Sequence, residues 1–163
     1  MTGLIIEQML RGDVAGCIEI AGEAGLEVWT VSGFETELSR ADSIALVGRL
    51  SGVVVGFVLG RALKADRSAE IYNIGVRSRF LRSGIGRSLL AAFEAEASKS
   101  LSSKLWLEVR ASNISAISFY LSQGFTRQFT RKAFYSNPSD DALVMGKNLA
   151  REPGIDKLTL DSG

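Results

Sequence analysis

The residues best suited to chemistry fall in three stretches between Ile74 and Tyr120. The first is Arg82-Ser83-Gly84-Ile85-Gly86-Arg87, which follows a β-rich run and opens a helical one. Glycines there let the backbone turn tightly and approach a ligand closely. A helix N-terminus adds unpaired N–H groups and a positive dipole end, which together suit a pyrophosphate. Arg77, Arg79, Arg82 and Arg87 can add charge-assisted contacts to phosphate oxygens. The same residues also fit a plain strand-to-helix turn with a solvated basic face. No Gly-Lys-Ser/Thr follows, so this is not a Walker loop, and Leu81 stands where a dinucleotide fingerprint needs its first glycine.

The second stretch is Leu105-Trp106-Leu107-Glu108-Val109. Strand alternation puts Trp106 and Glu108 on one face and the three aliphatic residues on the other. A carboxylate in so apolar a strand is either paired, with Arg110 or Arg77 as candidate partners, or functional as a general base. The third stretch begins at Asn113. Asn113, Ile117 and Tyr120 are spaced i, i+4, i+7 and share one helix face. Asn113 can bond a ligand amide and Tyr120 can present its hydroxyl. Each also has a plainer use, as an N-cap and as a core aromatic.

Composition narrows the chemistry further. The chain has 163 residues and no histidine. Imidazole-dependent nucleophilic catalysis is therefore excluded. With a single cysteine, Cys17, no intramolecular disulfide can form, and a zinc site is not expected. Cys17 is far from the three stretches and reads as structural. General base and acid must come from a carboxylate, a lysine, a tyrosine or water. Nineteen basic and eighteen acidic residues balance, which argues against a nucleic-acid partner. No apolar run reaches the roughly 20 residues of a membrane span, and no signal peptide is read. A cytoplasmic setting is expected.

The elements that must hold these residues follow from periodicity. Leu4 to Met9 reads as a strand, and Asp13 can cap a helix running to about Gly25. Ser32 and Glu35 have capping-box spacing, placing a short helix from Gly33. Ser43 to Leu50 and Val53 to Leu63 form a hairpin through Ser51-Gly52. Ala69 to Val76 is a further strand. Ile85, Leu89, Phe93 and Ala97 define the inner face of a long helix. Leu105 to Val109 is a buried strand. The helix after Asn113 turns Ile114, Ile117 and Leu121 inward and ends at Gly124. Strands from Phe125 to Arg131 and from Ala142 to Lys147 complete the set. The order β-α-α-β-β-β-α-β-α-β-β predicts one α/β (α+β) domain over residues 1–150. Residues 151–163, with Pro153 and Gly154, read as a flexible C-terminal tail.

Together these stretches resemble the GNAT superfamily of N-acetyltransferases. Within it they are most similar to the bacterial ribosomal-protein-alanine N-acetyltransferases, which acetylate the N-terminal amine of a ribosomal protein. The matching residues are Tyr72-Asn73-Ile74-Gly75-Val76, Arg82 through Leu90, Leu105 through Asn113, Ala116-Ile117, Phe119-Tyr120 and Gly124-Phe125. Leu-Glu-Val-Arg-Ala-Ser-Asn is the most specific piece. Trp29 and Phe34 partly match a tryptophan-containing loop of that family. The resemblance implies a mixed, mostly antiparallel sheet of about seven strands with about four helices on its faces.

The resemblance also implies roles. Acetyl-CoA would be the cosubstrate, with no metal. Ile74, Gly75 and Val76 would pair with the pantetheine through their backbones. Arg82, Ser83, Gly84, Ile85, Gly86 and Arg87 would cradle the pyrophosphate, and Asn113 would also touch the coenzyme. Glu108 would be the general base and Tyr120 the general acid. Trp29, Phe34 and Tyr135 would line the acceptor site. Three departures stand out. Leu81 replaces the usual Gln or Arg, Val28 replaces a Pro, and Arg131 through Pro138 only partly follow the Tyr-rich acceptor segment. The expected acceptor is a protein N-terminus, such as that of a ribosomal protein. A small amine, or a silent acetyl-CoA-binding module, are the alternatives. The protein would work as a monomer or homodimer.

Overall fold

A computed structural model describes residues 3–27 and 29–149. The expected order of elements is present: β1 (Ile5–Gln8), α1 (Val14–Glu23), α2 (Val31–Leu38), β2 (Ser43–Leu50), β3 (Val53–Leu63), β4 (Ser68–Val76), α3 (Ile85–Lys99), β5 (Lys104–Arg110), α4 (Ile114–Ser122), β6 (Thr126–Tyr135) and β7 (Asp140–Asn148). The strands form one sheet in the order β1-β2-β3-β4-β5-β7-β6. Every neighbouring pair is antiparallel except β4–β5. The expected tail and Val28 lie outside the described residues.

Local chemistry explains most boundaries. Ser51 and Gly52 both have positive φ, 48° and 79°, the turn that matches the twist of a two-residue hairpin. Helix α2 starts two residues earlier than the Ser32–Glu35 spacing implies. Thr30 is the true cap, its Oγ1 accepting from the Gly33 N–H at 3.0 Å. Asp13 does not cap α1. Its carboxylate accepts from the Leu10 N–H at 2.9 Å and pairs with Arg49 at 2.8 Å, tying the chain after β1 to β2. Asn113 caps α4, its Oδ1 accepting from the Ala116 N–H at 3.1 Å. The inner face of α4 is Ile117 and Tyr120; Ile114, expected inward, is 68% exposed, and Leu121 is also exposed.

Two apolar cores sandwich the sheet. On one face α3 buries Ile85, Leu89, Phe93 and Ala97 against β2, β3 and β4, in a core that continues to β5 and α4. On the other, α1 and α2 bury Cys17, Ile20 and Phe34 against Val47, Phe57 and Leu59. Burial of such side chains contributes about 1.5–3 kcal/mol each, so the helices are held by packing more than by their own propensity.

The pairing of β3 with β4 is irregular at one point. Its register runs from Gly60↔Ile71 to Leu59↔Asn73, so Tyr72 is an extra residue with no partner. A β-bulge of this kind bends its strand and re-aims its side chains. Ile71 and Ile74 both pack toward the α3 core as a result. Gly60 permits the close approach, because a Cβ there would lie 2.1 Å from the Glu70 carbonyl oxygen and 2.7 Å from the Phe93 ring. Gly60→Ala should therefore cost at least ~2 kcal/mol of unfolding free energy, read as a lowered urea midpoint. An unchanged midpoint would mean the strands relax freely at this point.

Candidate active site

Strands β4 and β5 pair only from Ser68↔Lys104 to Ile71↔Leu107. Beyond that, β4 stays paired with β3 to Val76 and β5 stays paired with β7 to Arg110. Each strand follows its other neighbour, and the sheet opens between them. The opening is a cavity of about 980 Å³. It is walled by Ile74, Gly75 and Val76 on the β4 side and by Glu108, Val109 and Arg110 on the β5 side.

At one end lies the N-terminus of α3. Arg82 (φ 61°) and Gly84 (φ 87°) carry the chain through left-handed backbone into the helix. Among the described residues no side chain caps α3, so the N–H groups of its first turn are open to a ligand. Arg82, Gly84, Ile85, Gly86 and Arg87 all line the cavity, as does Leu81, which is 61% exposed. Ser83 does not line it. Its hydroxyl donates to the Phe80 carbonyl, so it fastens the loop rather than facing a ligand. Arg77 is likewise not a phosphate contact. Its Nη1 donates to Glu19 at 2.9 Å and Glu23 at 3.1 Å, and its Nε donates to the Val54 carbonyl at 3.0 Å. That clamp fixes α1 to the end of β4. Arg79 lies over the Phe80 ring at 5.0 Å, away from the cavity lining.

Asn113 and Tyr120 both line the cavity from α4. The Asn113 oxygen is used by its own helix, which leaves the amide N–H groups as the donors it can offer. Tyr120 is buried between Phe119 and Phe125, with ring centroids 5.3 and 5.5 Å away. Among the described residues its hydroxyl has no hydrogen-bond partner. Burial pushes the phenol well above its ordinary pKa, so it keeps its proton through the neutral range.

Glu108 faces the cavity but is not sequestered. Its side chain is 25% exposed and accepts an ion pair from Arg131 Nε at 3.0 Å. Neither partner anticipated from the sequence is the one used. Arg110 instead reaches Glu27 at 2.6 Å and the Pro138 carbonyl at 2.7 Å, and lies 4.3 Å over the Tyr135 ring. Trp29 and Tyr135 line the same end, joined by Phe134. Trp29 sits 5.8 Å from Tyr72. With the Asn73 amide turned to face it, the indole N–H donates to Asn73 Oδ1 at 3.0 Å. Phe34, expected at the acceptor site, is fully buried and stacks 6.0 Å from Phe57 in the α1–α2 core. It can only support Trp29 from behind, at 5.8 Å.

Two further residues stand at this end: Glu70, which carries no signal of its own in the sequence, and Tyr72, which opens one of the stretches of resemblance but carries no implied role. Glu70 and Tyr72 both line the cavity. Period-two alternation does not mark Glu70 as special, because the register across β4–β5 is what brings it beside the strand that bears Glu108. Cys17 is fully buried, and burial first, then the Asp13 charge, pushes its thiol up to about 12, which removes it as a nucleophile. Among the described residues no three acidic or cysteine side chains are grouped to hold a metal, and no helix is long and apolar enough to cross a membrane.

Comparison with known proteins bears on this arrangement. The sequence model of the Acetyltransferase (GNAT) family matches residues 12–125. A [Ribosomal protein bS18]-alanine N-acetyltransferase of Escherichia coli K12 is 40% identical over 79 residues, 47% of this chain and 53% of that protein. The match thus spans about half the length of that relative. The N-alpha-acetyltransferase RimI of Mycobacterium tuberculosis is 30% identical over 149 residues, 88% of this chain and 91% of the relative. Among solved structures, the ribosomal-protein-S18-alanine N-acetyltransferase from Escherichia coli superposes with a TM-score of 0.80 at 27% identity, covering 91% of this chain and 96% of that one.

Gly86 separates a ligand's needs from the protein's. A Cβ there would meet the Phe119 ring at 3.5 Å and Val76 at 3.8 Å, both ordinary contacts, and alanine is the better helix former by about 1 kcal/mol. Gly86→Ala should leave the melting temperature unchanged or slightly raised, yet weaken coenzyme A binding about tenfold or more by calorimetry. Equal affinity would place the diphosphate elsewhere.

Proposed function

The chain belongs to the acetyltransferase (GNAT) family, and on that footing we propose that it transfers the acetyl group of acetyl-CoA to the α-amine of a protein N-terminus, such as that of a ribosomal protein. The observation that carries this reading is the parting of β4 and β5. It joins an uncapped helix N-terminus to a protonated tyrosine and a carboxylate within one cavity. The diphosphate is taken up by the amides at the start of α3, with Arg82 and Arg87 beside them. The pantetheine lies along Ile74, Gly75 and Val76, whose main chain is free of β5, and the Asn113 amide donates to it. A main-chain N–H of this strand stabilises the oxyanion.

The acceptor amine must be neutral to attack. An α-amine, with a reference pKa of about 7.7–8.0, loses its proton at less cost than a lysine at about 10.4. Glu108 takes that proton, directly or through a water. Nitrogen attacks the thioester carbon, the C–S bond breaks as the tetrahedral intermediate collapses, Tyr120 gives its proton to the departing sulfur, and the surplus N–H proton passes to the Tyr120 phenolate, leaving a neutral amide. No acyl-enzyme is needed. Trp29, Phe134 and Tyr135 supply aromatic walls against which a peptide acceptor would lie. A small cationic amine is the second reading, favoured by the acidic side chains Glu27, Glu70 and Glu108 at the same end.

Mass spectrometry after incubation with acetyl-CoA separates the two readings. N-terminal peptides of ribosomal proteins should gain an acetyl group, while a panel of polyamines, amino acids and antibiotics should not. The reverse pattern would overturn the peptide assignment. Glu108→Gln and Tyr120→Phe should each lower kcat by about 100-fold or more, with acetyl-CoA affinity within twofold of wild type. Unchanged turnover in either variant removes that residue from its role.

A further inference from the structure

The acceptor end of the cavity holds a second carboxylate that proton transfer through Glu108 and Tyr120 leaves unused. Glu70 lies on β4 opposite Trp106, in the last stretch where β4 and β5 still pair. Glu108 is two residues further along β5. The side chains of Ile71, Leu105, Leu107 and Val109 fill the α3 core, so Glu70, Trp106 and Glu108 project from the opposite face. Both carboxylates line the cavity. Both are borne on strands, so neither can swing away as a loop residue would.

Their partners differ. Glu108 is paired with Arg131. Glu70 has no ion pair or hydrogen bond among the described residues. The charged groups around it are Glu108 from β5, Arg61 from β3 and Arg131 from β6. Arg61 is already held by Glu37 through two bonds of 2.7 and 2.6 Å, and Arg131 is held by Glu108. Each arginine is thus balanced by another acid, and Glu70 carries the charge left over.

We propose that Glu70 is a second catalytic carboxylate, sharing with Glu108 the proton that the acceptor amine gives up. This rests on the acetyl-transfer reading and extends it. Burial, and then the Glu108 charge, push the Glu70 carboxyl above the ordinary glutamate range, as expected for two like charges confined together. A base with a raised pKa is better matched to an amine than one stabilised by an arginine. In the step itself, the ammonium proton passes to the Glu70–Glu108 pair, and the neutral nitrogen then forms the N–C bond. The C–S bond then breaks with the Tyr120 proton going to sulfur. The pair afterwards returns its proton to solvent, and the surplus N–H proton of the acetylated nitrogen restores Tyr120. The Tyr72 phenol, raised first by burial and then by the Glu70 charge, stays protonated beside them as a neutral donor.

Two measurements test this, one independent of turnover. Carboxyl carbon NMR of the full chain should show Glu70 titrating above the usual glutamate value of about 4.3, and falling toward it in Glu108→Gln. In steady-state assays with an N-terminal peptide, Glu70→Gln should lower kcat/KM 10- to 100-fold and move its acid limb to lower pH. Acetyl-CoA affinity should stay within twofold, and Glu70→Asp should recover part of the rate. The proposal is overturned if Glu70 titrates as a free glutamate and ignores Glu108→Gln, or if Glu70→Gln keeps the wild-type pH profile. Wild-type protein that acetylates no amine would sink the acetyl-transfer reading, while the NMR titration would still decide whether the carboxylates are coupled.

Discussion

Four paired residues followed by a parting govern this structure. Strands β4 and β5 form the one parallel pair in a sheet that is otherwise antiparallel. A parallel pair needs a crossover between its strands, and α3 supplies it. The helix must therefore begin near the end of β4, at the mouth of the gap. Strand divergence, helix N-terminus and cavity are thus consequences of one connection. Main-chain groups that a continuous ladder would satisfy internally are left for a ligand to satisfy.

The surroundings keep that gap open and shaped. Arg77 ties the end of β4 to α1 and to Val54 of β3. The bidentate Glu37–Arg61 pair holds α2 to β3, and the Arg61 guanidinium lies 5.5 Å over the Tyr72 ring at the bulge. From the other side, Arg110 bridges the α1–α2 connection to the β6–β7 turn through Glu27 and Pro138. Arginines here act mostly as spacers between elements. That leaves Arg82 and Arg87 as the cations at the α3 end of the cavity and Glu70 as the uncompensated acid at the other end.

Much of this was legible in the chain. Periodicity located every strand and helix, because both cores are built from regular aliphatic faces such as Ile85, Leu89, Phe93 and Ala97. Gly84 and Gly86 marked the turn into α3, and Glu108 stood out in its apolar strand. Long-range geometry was not legible. Ser83 and Arg77 carry the right groups for phosphate, but a loop carbonyl and two α1 glutamates claim them first. Phe34 lies on a helix near Trp29, yet its ring faces Phe57, a contact set by how α2 packs on β3. Glu70 was silent because its neighbour Glu108 is 38 residues away in the chain, and only the sheet register joins them.

Hydrogen–deuterium exchange with and without acetyl-CoA puts the central claim to its most direct test. If a thioester nucleotide fills the gap, the amides of Ile74 to Val76 and those of the first turn of α3 should gain protection together on its addition, with little change in β1, β2 and the far end of α3. Unaltered exchange at both places, or protection confined to the groove that Ile6 and Gln8 of β1 form with Ala92 and Ala95 of α3, would contradict it.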